Sequence, residues 1–163
     1  MAWEEIDSTT LGSAAASVTF NSGLGGYAFY RITAYIANDG TNGRVYVMFN
    51  SDTGANYVFE TIEAYAFTAS AALSTAQTKI IPDANFNDLL ANNEESFTMI
   101  VAKPAAGVKA QTVSQAGFNA SPVLALIGGE WNNTADLISS ITLTKSSGNF
   151  AAGTSILLEG LDF

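Results

Sequence analysis

Apolar and polar residues alternate along the C-terminal part of the chain, and this alternation restricts it to β-structure. Ile141 and Leu143 alternate with two threonines, which is typical of a strand with one buried face. Residues 145–149 have the composition of a turn, and a second strand is expected over 156–161. Residues 138–161 are therefore predicted to form a β-hairpin. The side chains expected to be buried there are Leu143, Phe150 and Leu158.

Similar short alternating segments, separated by glycine, asparagine and aspartate, predict about ten strands. One strand is expected over 78–81, and the only helical turn is expected over 83–95. The inward residues predicted from the clearest alternations are Val18, Phe20, Tyr30, Ile32, Ala34, Ile36, Val45, Val47, Phe49, Phe97, Met99 and Val101. We predict an all-β fold, an antiparallel two-sheet β-sandwich, as a single domain over 1–163. The alternation alone does not choose between a jelly-roll and an immunoglobulin-like strand order.

Charge is scarce in this chain. Charged residues make up 13% of the sequence and hydrophobic residues 48%, whereas soluble domains usually carry about 25% charged residues. The net charge is −9, and the six cationic residues do not cluster, which argues against binding to nucleic acid. No apolar run approaches the roughly 18 residues of a membrane span. This composition suits a protein that packs into an assembly.

The sequence contains no histidine and no cysteine. It therefore lacks the usual general base, the usual zinc ligands and any disulfide, and we expect neither an enzyme nor a cofactor. The adjacent acids Glu94 and Glu95 would point to opposite faces of a strand, so they do not form a glycosidase pair. A cross-strand pair such as Glu60 with Glu130 stays open, although a solvated surface is the favoured interpretation.

Two acidic loops are weak candidates for a calcium site. Asp52 lies in Asn-Ser-Asp-Thr-Gly-Ala-Asn, where carboxylate and amide oxygens recur at alternate positions, and Asp39 lies in a second Asn/Gly-rich loop. Neither loop has the further acidic ligands of an EF-hand loop. We therefore favour tight turns in which each aspartate binds its own backbone, with no metal.

Several aromatic residues are candidates for contact with a glycan or a partner protein. Trp131, Tyr46 and Tyr35 are the ones that we single out, because aromatic faces stack on sugar rings. Aromatic residues are also enriched in strands and in cores, and packing inside the protein or between subunits is the favoured interpretation.

Three segments together resemble a known family. They are TTLGSAAASVTF at 9–20, FNSDTGANYVF at 49–59, and ISSITLTKSSGNFAAGTSILLEGL at 138–161, and Glu130-Trp131 adds the entry into the last segment. In this order they resemble jelly-roll structural proteins on the particles of tailed bacteriophages, which include capsid decoration proteins, head fibres and tail-fibre domains. The resemblance implies a jelly-roll strand order, a homotrimer, and other virion proteins such as a major capsid or fibre protein as partners.

Two functions follow as expectations. The first is a non-enzymatic virion structural protein that decorates the capsid or forms part of a head or tail fibre. The alternative is a carbohydrate-binding module or receptor-binding fibre tip that recognises a host surface glycan. Trp3-Glu4-Glu5 stands where a signal peptide would carry cations, so we expect the protein to be made in the host cytoplasm and to reside in the virion.

Overall fold

The computed structural model describes residues 2–65, 68–83, 94–103, 105–118 and 124–162. Its strands are β1 (Glu4–Thr10), β2 (Ser17–Phe20), β3 (Phe29–Ile36), β4 (Val45–Phe49), β5 (Tyr57–Tyr65), β6 (Thr68–Gln77), β7 (Glu95–Ala102), β8 (Ala110–Phe118), β9 (Leu124–Trp131), β10 (Ile141–Lys145) and β11 (Ser155–Leu161). Within the described ranges, there is no helix of the length and apolar character that a membrane span needs.

The strands form two antiparallel sheets. The large sheet has eight strands in the order β1-β11-β3-β7-β8-β9-β5-β6, and the small sheet has three in the order β2-β10-β4. The first five strands alternate between the large and the small sheet, and the two terminal strands β1 and β11 lie side by side. The predicted all-β, antiparallel two-sheet sandwich of jelly-roll type is confirmed.

The alternation of apolar residues correctly predicted which side chains face the space between the sheets. In β3, Tyr30, Ile32, Ala34 and Ile36 are buried, and the intervening residues point away from the core. Every other residue predicted to be inward is buried as well. Because successive side chains of a strand point to opposite faces, one buried face is enough to produce this pattern.

The C-terminal hairpin prediction was wrong in its pairing, although both strands exist. β10 pairs with β2 and β4 in the small sheet, whereas β11 pairs with β1 and β3 in the large sheet. The connection over 146–154 is long enough to cross from one sheet to the other. Leu143, Phe150 and Leu158 are all buried, as predicted, because both strands turn their apolar faces to the same core.

Two strands were not predicted, and one predicted strand is not formed. Strands β1 and β6 stand at the two edges of the large sheet, where exposure of both faces removes the alternating pattern. The strand expected over 78–81 is reduced to a bridge, in which Ile80 exchanges two backbone hydrogen bonds with Val47. The helical turn expected over 83–95 lies mostly outside the described residues, which include only its two ends, 83 and 94–95.

Candidate functional site

Asp52 closes the loop after β4 and has structural partners. Its carboxylate accepts hydrogen bonds from the backbone of Gly54 at 2.8 Å, from Asn56 Nδ2 at 2.9 Å and from Trp131 Nε1 at 2.7 Å. Burial opposes ionisation, but the hydrogen bonds from Trp131, Asn56 and Gly54 outweigh it and lower the pKa of Asp52. Asp52 makes the tight turn that the sequence favoured, and in addition it anchors a tryptophan.

Asp39 has a similar role at another place in the sandwich. Its carboxylate accepts backbone hydrogen bonds from Asn149 at 2.6 Å and from Thr41 at 3.0 Å, and it lies 3.5 Å from Lys145 Nζ. The hydrogen bond from Asn149 is the main reason that the pKa of Asp39 is lowered. These contacts connect the loop after β3 to the crossing between β10 and β11.

The two acidic loops do not combine into one site. Asp39 lies beside Lys145 at the end of β10, whereas the Asp52 turn lies at its beginning, where Asn50 accepts a hydrogen bond from the backbone of Ser140. Among the described residues, no group of three or more acidic side chains is placed to hold a metal ion.

Removal of divalent metal is expected to leave the fold unchanged, because protein donors already bind the carboxylates of Asp39 and Asp52. Thermal melts followed by circular dichroism, with and without excess EDTA, should coincide. A clear fall of Tm in EDTA that added calcium reverses, and that Asp52→Asn abolishes, would contradict this expectation.

Trp131 is not a contact residue, because its side chain is 0% exposed. Its ring packs on Phe49, with a centroid distance of 5.5 Å, and on Tyr57 at 6.5 Å, and Lys103 Nζ lies 5.5 Å from its centroid. Lys103 is itself buried, which lowers its pKa, and its ammonium donates to the carbonyls of Val108 and Asn133. Trp131 is therefore wrong as a candidate for contact with a glycan or a partner, and this aromatic cluster belongs to the core, in line with the favoured interpretation of packing inside the protein.

Tyr46 and Tyr35 do not form a common platform either. Tyr46 is half-buried on the outer face of the small sheet, where Lys79 Nζ lies 5.1 Å from its ring. Tyr35 is 41% exposed on the outer face of the large sheet. The two tyrosines therefore lie on opposite sides of the sandwich, and only Tyr35 is well placed to meet a ligand.

The outer face of the large sheet carries a feature that the sequence analysis missed. Five large aliphatic side chains there are between 45% and 66% exposed. We call them the outer aliphatic patch: Ile62, Leu73, Val113, Leu124 and Leu126. The available signal was the unbroken apolar run of Leu124 to Ile127 at the start of β9, which indicates a strand that is apolar on both faces.

A groove of about 620 Å³ runs through this patch. Gly128 lies between Val113 on β8 and Glu60 on β5, and an added Cβ at Gly128 would meet nothing within 4 Å. The missing side chain thus opens a depression in the sheet surface. Glu60, Glu130 and Gln111 provide polar groups along the groove, and Glu130 forms a 3.0 Å ion pair with Lys109.

A second groove, of about 330 Å³, lies on the same face of the sheet beside Tyr35. We call it the hydroxyl groove, because its polar side chains are Thr33, Ser96, Thr98 and Gln115, with Leu124 at one side. Tyr35 pairs with Ser96 across β3 and β7, so its ring stands next to this groove. Its neutral polar groups can exchange hydrogen bonds with a hydroxylated ligand.

Among the described residues three acids, Glu63, Asp83 and Glu95, are buried inside the sandwich, and the sequence analysis identified none of them. The burial of Asp83 and Glu95 was not predicted, yet both side chains are at most 1% exposed. Asp83 accepts a hydrogen bond from the backbone of Val45 at 3.2 Å. Its burial raises its pKa to about 7, and burial together with the charge of Asp83 raises the pKa of Glu95 well above its ordinary value. Because these two acids bind protons more tightly in the folded state than in the unfolded state, they make the stability of the fold depend on pH.

No protein-family model and no curated protein matches this chain. Solved structures to which it is similar include the galectin LEC-6 of Caenorhabditis elegans, with a TM-score of 0.36, 6% identity and 96% of each chain covered. Peanut lectin in complex with a nine-residue peptide is similar at a TM-score of 0.31 and 6% identity, covering 98% of this chain and 86% of that one.

Proposed function

We propose that this chain is a non-enzymatic structural protein of a bacteriophage particle that binds a neighbouring virion protein through its outer aliphatic patch. The observation that carries the proposal is the exposure of the five side chains of that patch on one face of one sheet. Contiguous apolar surface of this kind marks an interaction site in a soluble protein. The motifs at 9–20, 49–59 and 138–161 support the phage setting by resemblance.

The patch has the anatomy of a protein-binding surface. Its centre is aliphatic, with Leu126 and Ile62 paired across β9 and β5, and polar residues such as Glu130 and Gln111 lie along the same groove. An apolar centre within a polar rim is the usual arrangement of such interfaces. Burial of apolar area at about 25 cal/mol per Å² would supply the binding free energy. A major capsid protein or a fibre protein is the partner that we propose.

A charge placed in the patch should weaken this binding. We expect Leu126→Asp to reduce the affinity for undecorated phage particles at least tenfold, because a carboxylate would be desolvated among aliphatic side chains. Cosedimentation of purified protein with the particles measures the affinity. The matched control is Ser17→Asp, which adds the same charge at an exposed position on the small sheet. Equal binding by both variants would remove the patch as the contact surface.

A second candidate function is carbohydrate binding, and the hydroxyl groove is the observation that favours it. Tyr35 offers an exposed ring beside four hydroxyl or amide side chains, which is a combination that binds sugars. The test is a panel of host polysaccharides with the parent protein, Tyr35→Ala and Gln115→Ala. Saturable binding that both variants lose would support this candidate. Trp131→Ala is uninformative here, because Trp131 is buried.

A further inference from the structure

The two edges of the large sheet differ in how they are protected. An edge strand exposes unpaired backbone groups that pair readily with another strand, and charged residues usually block this pairing. Strand β1 at one edge carries Glu4, Glu5 and Asp7. Strand β6 at the other edge has the sequence TASAALSTAQ, which contains no charge and no proline in ten residues. Only the first edge is protected in the usual way.

The β6 edge is also open to solvent. Eight of its ten residues are exposed, and the remaining two, Ala72 and Ser74, are half-buried. The strand is regular only in part, because a bulge interrupts its pairing with β5 after Ser74, and Ala76 has a left-handed φ of 54°. The part that can pair continuously with another strand is therefore 68–74.

We propose that a second copy of this chain binds at this edge, with the two β6 strands antiparallel about a twofold axis through Ala71. This interface is made by the backbone edge of β6, whereas the particle contact proposed above is made by the outer face of the sheet; of the outer aliphatic patch, Leu73 is the residue that lies on β6. Ala71 is the midpoint of the regular stretch 68–74, so this register uses the whole stretch in both copies. The pairing joins the two eight-stranded sheets into one continuous sheet of sixteen strands.

The side chains fit this register. Thr68 would lie opposite Ser74, Ala69 opposite Leu73, Ser70 opposite Ala72, and Ala71 opposite its own copy. A large residue then meets a small one on the outer face, and no charge meets another charge. Leu73 of each copy lies on the same face as Ile62, so the aliphatic patches of the two copies would continue across the seam.

Charge also argues for the β6 edge as the place where two copies meet. Each copy has a net charge of −9, so contact between acidic surfaces is repulsive, and the uncharged edge is where two copies can approach at least cost. Because salt screens the repulsion between the rest of the two chains, the dimer should become stronger as salt increases. The seam is small, and we expect a dissociation constant of about micromolar order.

Cysteine cross-linking tests the register directly, because the chain has no cysteine of its own. In the proposed dimer, Ala71→Cys places two thiols opposite each other, with a Cα separation of about 5 Å that suits a disulfide. Leu73→Cys is the matched control on the same face of β6. It should not cross-link, because its two copies would be about 13 Å apart along the strands. A mixture of Leu73→Cys and Ala69→Cys chains should cross-link again.

Analytical ultracentrifugation gives the second readout. We expect a species of twice the chain mass of 17.0 kDa, and Ala71→Lys should raise its dissociation constant at least tenfold while leaving the circular dichroism spectrum unchanged. A monomer at all concentrations, a trimer as the family resemblance implies, an open polymer, or equal cross-linking of Ala71→Cys and Leu73→Cys would each overturn the proposal. The effect of Leu126→Asp on particle binding tests the proposed function and is independent of the dimer, because Leu126 lies two strands from the seam.

Discussion

Trp131→Ala is expected to lower the free energy of unfolding by about 3–5 kcal/mol, which is the usual cost of removing a buried large aromatic side chain. The Trp131 ring is fully buried between Phe49, Tyr57 and the Lys103 ammonium, so its removal leaves a cavity. It also removes the 2.7 Å hydrogen bond from the indole N–H to Asp52. Lys103 would remain buried without the ring beneath it, which lowers the free energy of unfolding further.

Urea denaturation followed by circular dichroism measures this effect. Trp131→Phe is the control that keeps an aromatic ring and removes only the N–H group, and we expect it to cost clearly less than Trp131→Ala. In a Trp3→Phe background, Trp131 is the single remaining tryptophan, and its fluorescence should report a buried indole in the folded protein. A Trp131→Ala protein that unfolds at the same urea concentration as the parent would show that the aromatic cluster does not support the fold.

Stability is expected to fall as pH rises from about 4 to 7, because Asp83 and Glu95 bind protons more tightly in the folded state. The folded pKa of Asp83 is raised from 3.8 to about 7, chiefly by burial, and that of Glu95 is raised well above 4.5 by burial and by Asp83. A raised folded pKa means that the stabilising contribution is complete below the ordinary pKa and is lost as pH rises to the folded value. The loss is on the order of a few kcal/mol.

Other charged groups around the pair modify this effect without changing its sign. Arg44 before β4 and Lys145 on β10 favour the ionised acids, whereas Glu63 on β5 disfavours ionisation of Asp83. Below pH 4 stability falls for the opposite reason, because Asp39, Asp52 and Glu159 have lowered pKa values and lose their contribution on protonation. The maximum of stability is therefore expected in mild acid.

Glu95→Gln isolates the contribution of the pair. It removes the group that competes with Asp83 for ionisation, so the decline in unfolding free energy between pH 4 and pH 7 should become shallower than in the parent. Glu60→Gln, which removes an exposed carboxylate, is the control and should leave the slope unchanged. Urea titrations at a series of pH values give both slopes. Parallel stability profiles for the parent and Glu95→Gln would disprove the proton-retaining pair.

Much of the fold was predictable where a strand has one buried face. In β3 and β4 each inward residue, and in β7 each apolar inward residue, was identified from alternation alone, because burial on one side and solvent on the other force a period of two. The strands that were missed, β1 and β6, lie at the sheet edges and bury neither face well, so that their sequences carry no period. The tight turn at Asp52 followed from short-range chemistry, since its hydrogen bond to Gly54 spans only two residues.

The candidate surface could not be predicted in the same way. Nothing in the sequence distinguished the exposed Leu124 and Leu126 from core leucines, and the burial of Glu95 was not predicted. Trp131 was singled out as a contact candidate, although packing was the favoured interpretation. An aliphatic or aromatic side chain carries no local signal of which layer will cover it. A buried acid gives no signal either, because its burial depends on groups such as Lys145 and Val45 from distant parts of the chain.

The sequence by itself determined which segments are extended and which side of most strands is apolar, because both properties depend on neighbours one or two residues away. Only the tertiary structure decided which strands lie side by side. β10 and β11 follow each other in sequence and share the core, yet they belong to different sheets, since the apolar face of a strand specifies that it must be covered and not which strand it must pair with. For the same reason, only the tertiary structure decided that β6 lies at an open edge and that Trp131 lies at the centre of the core.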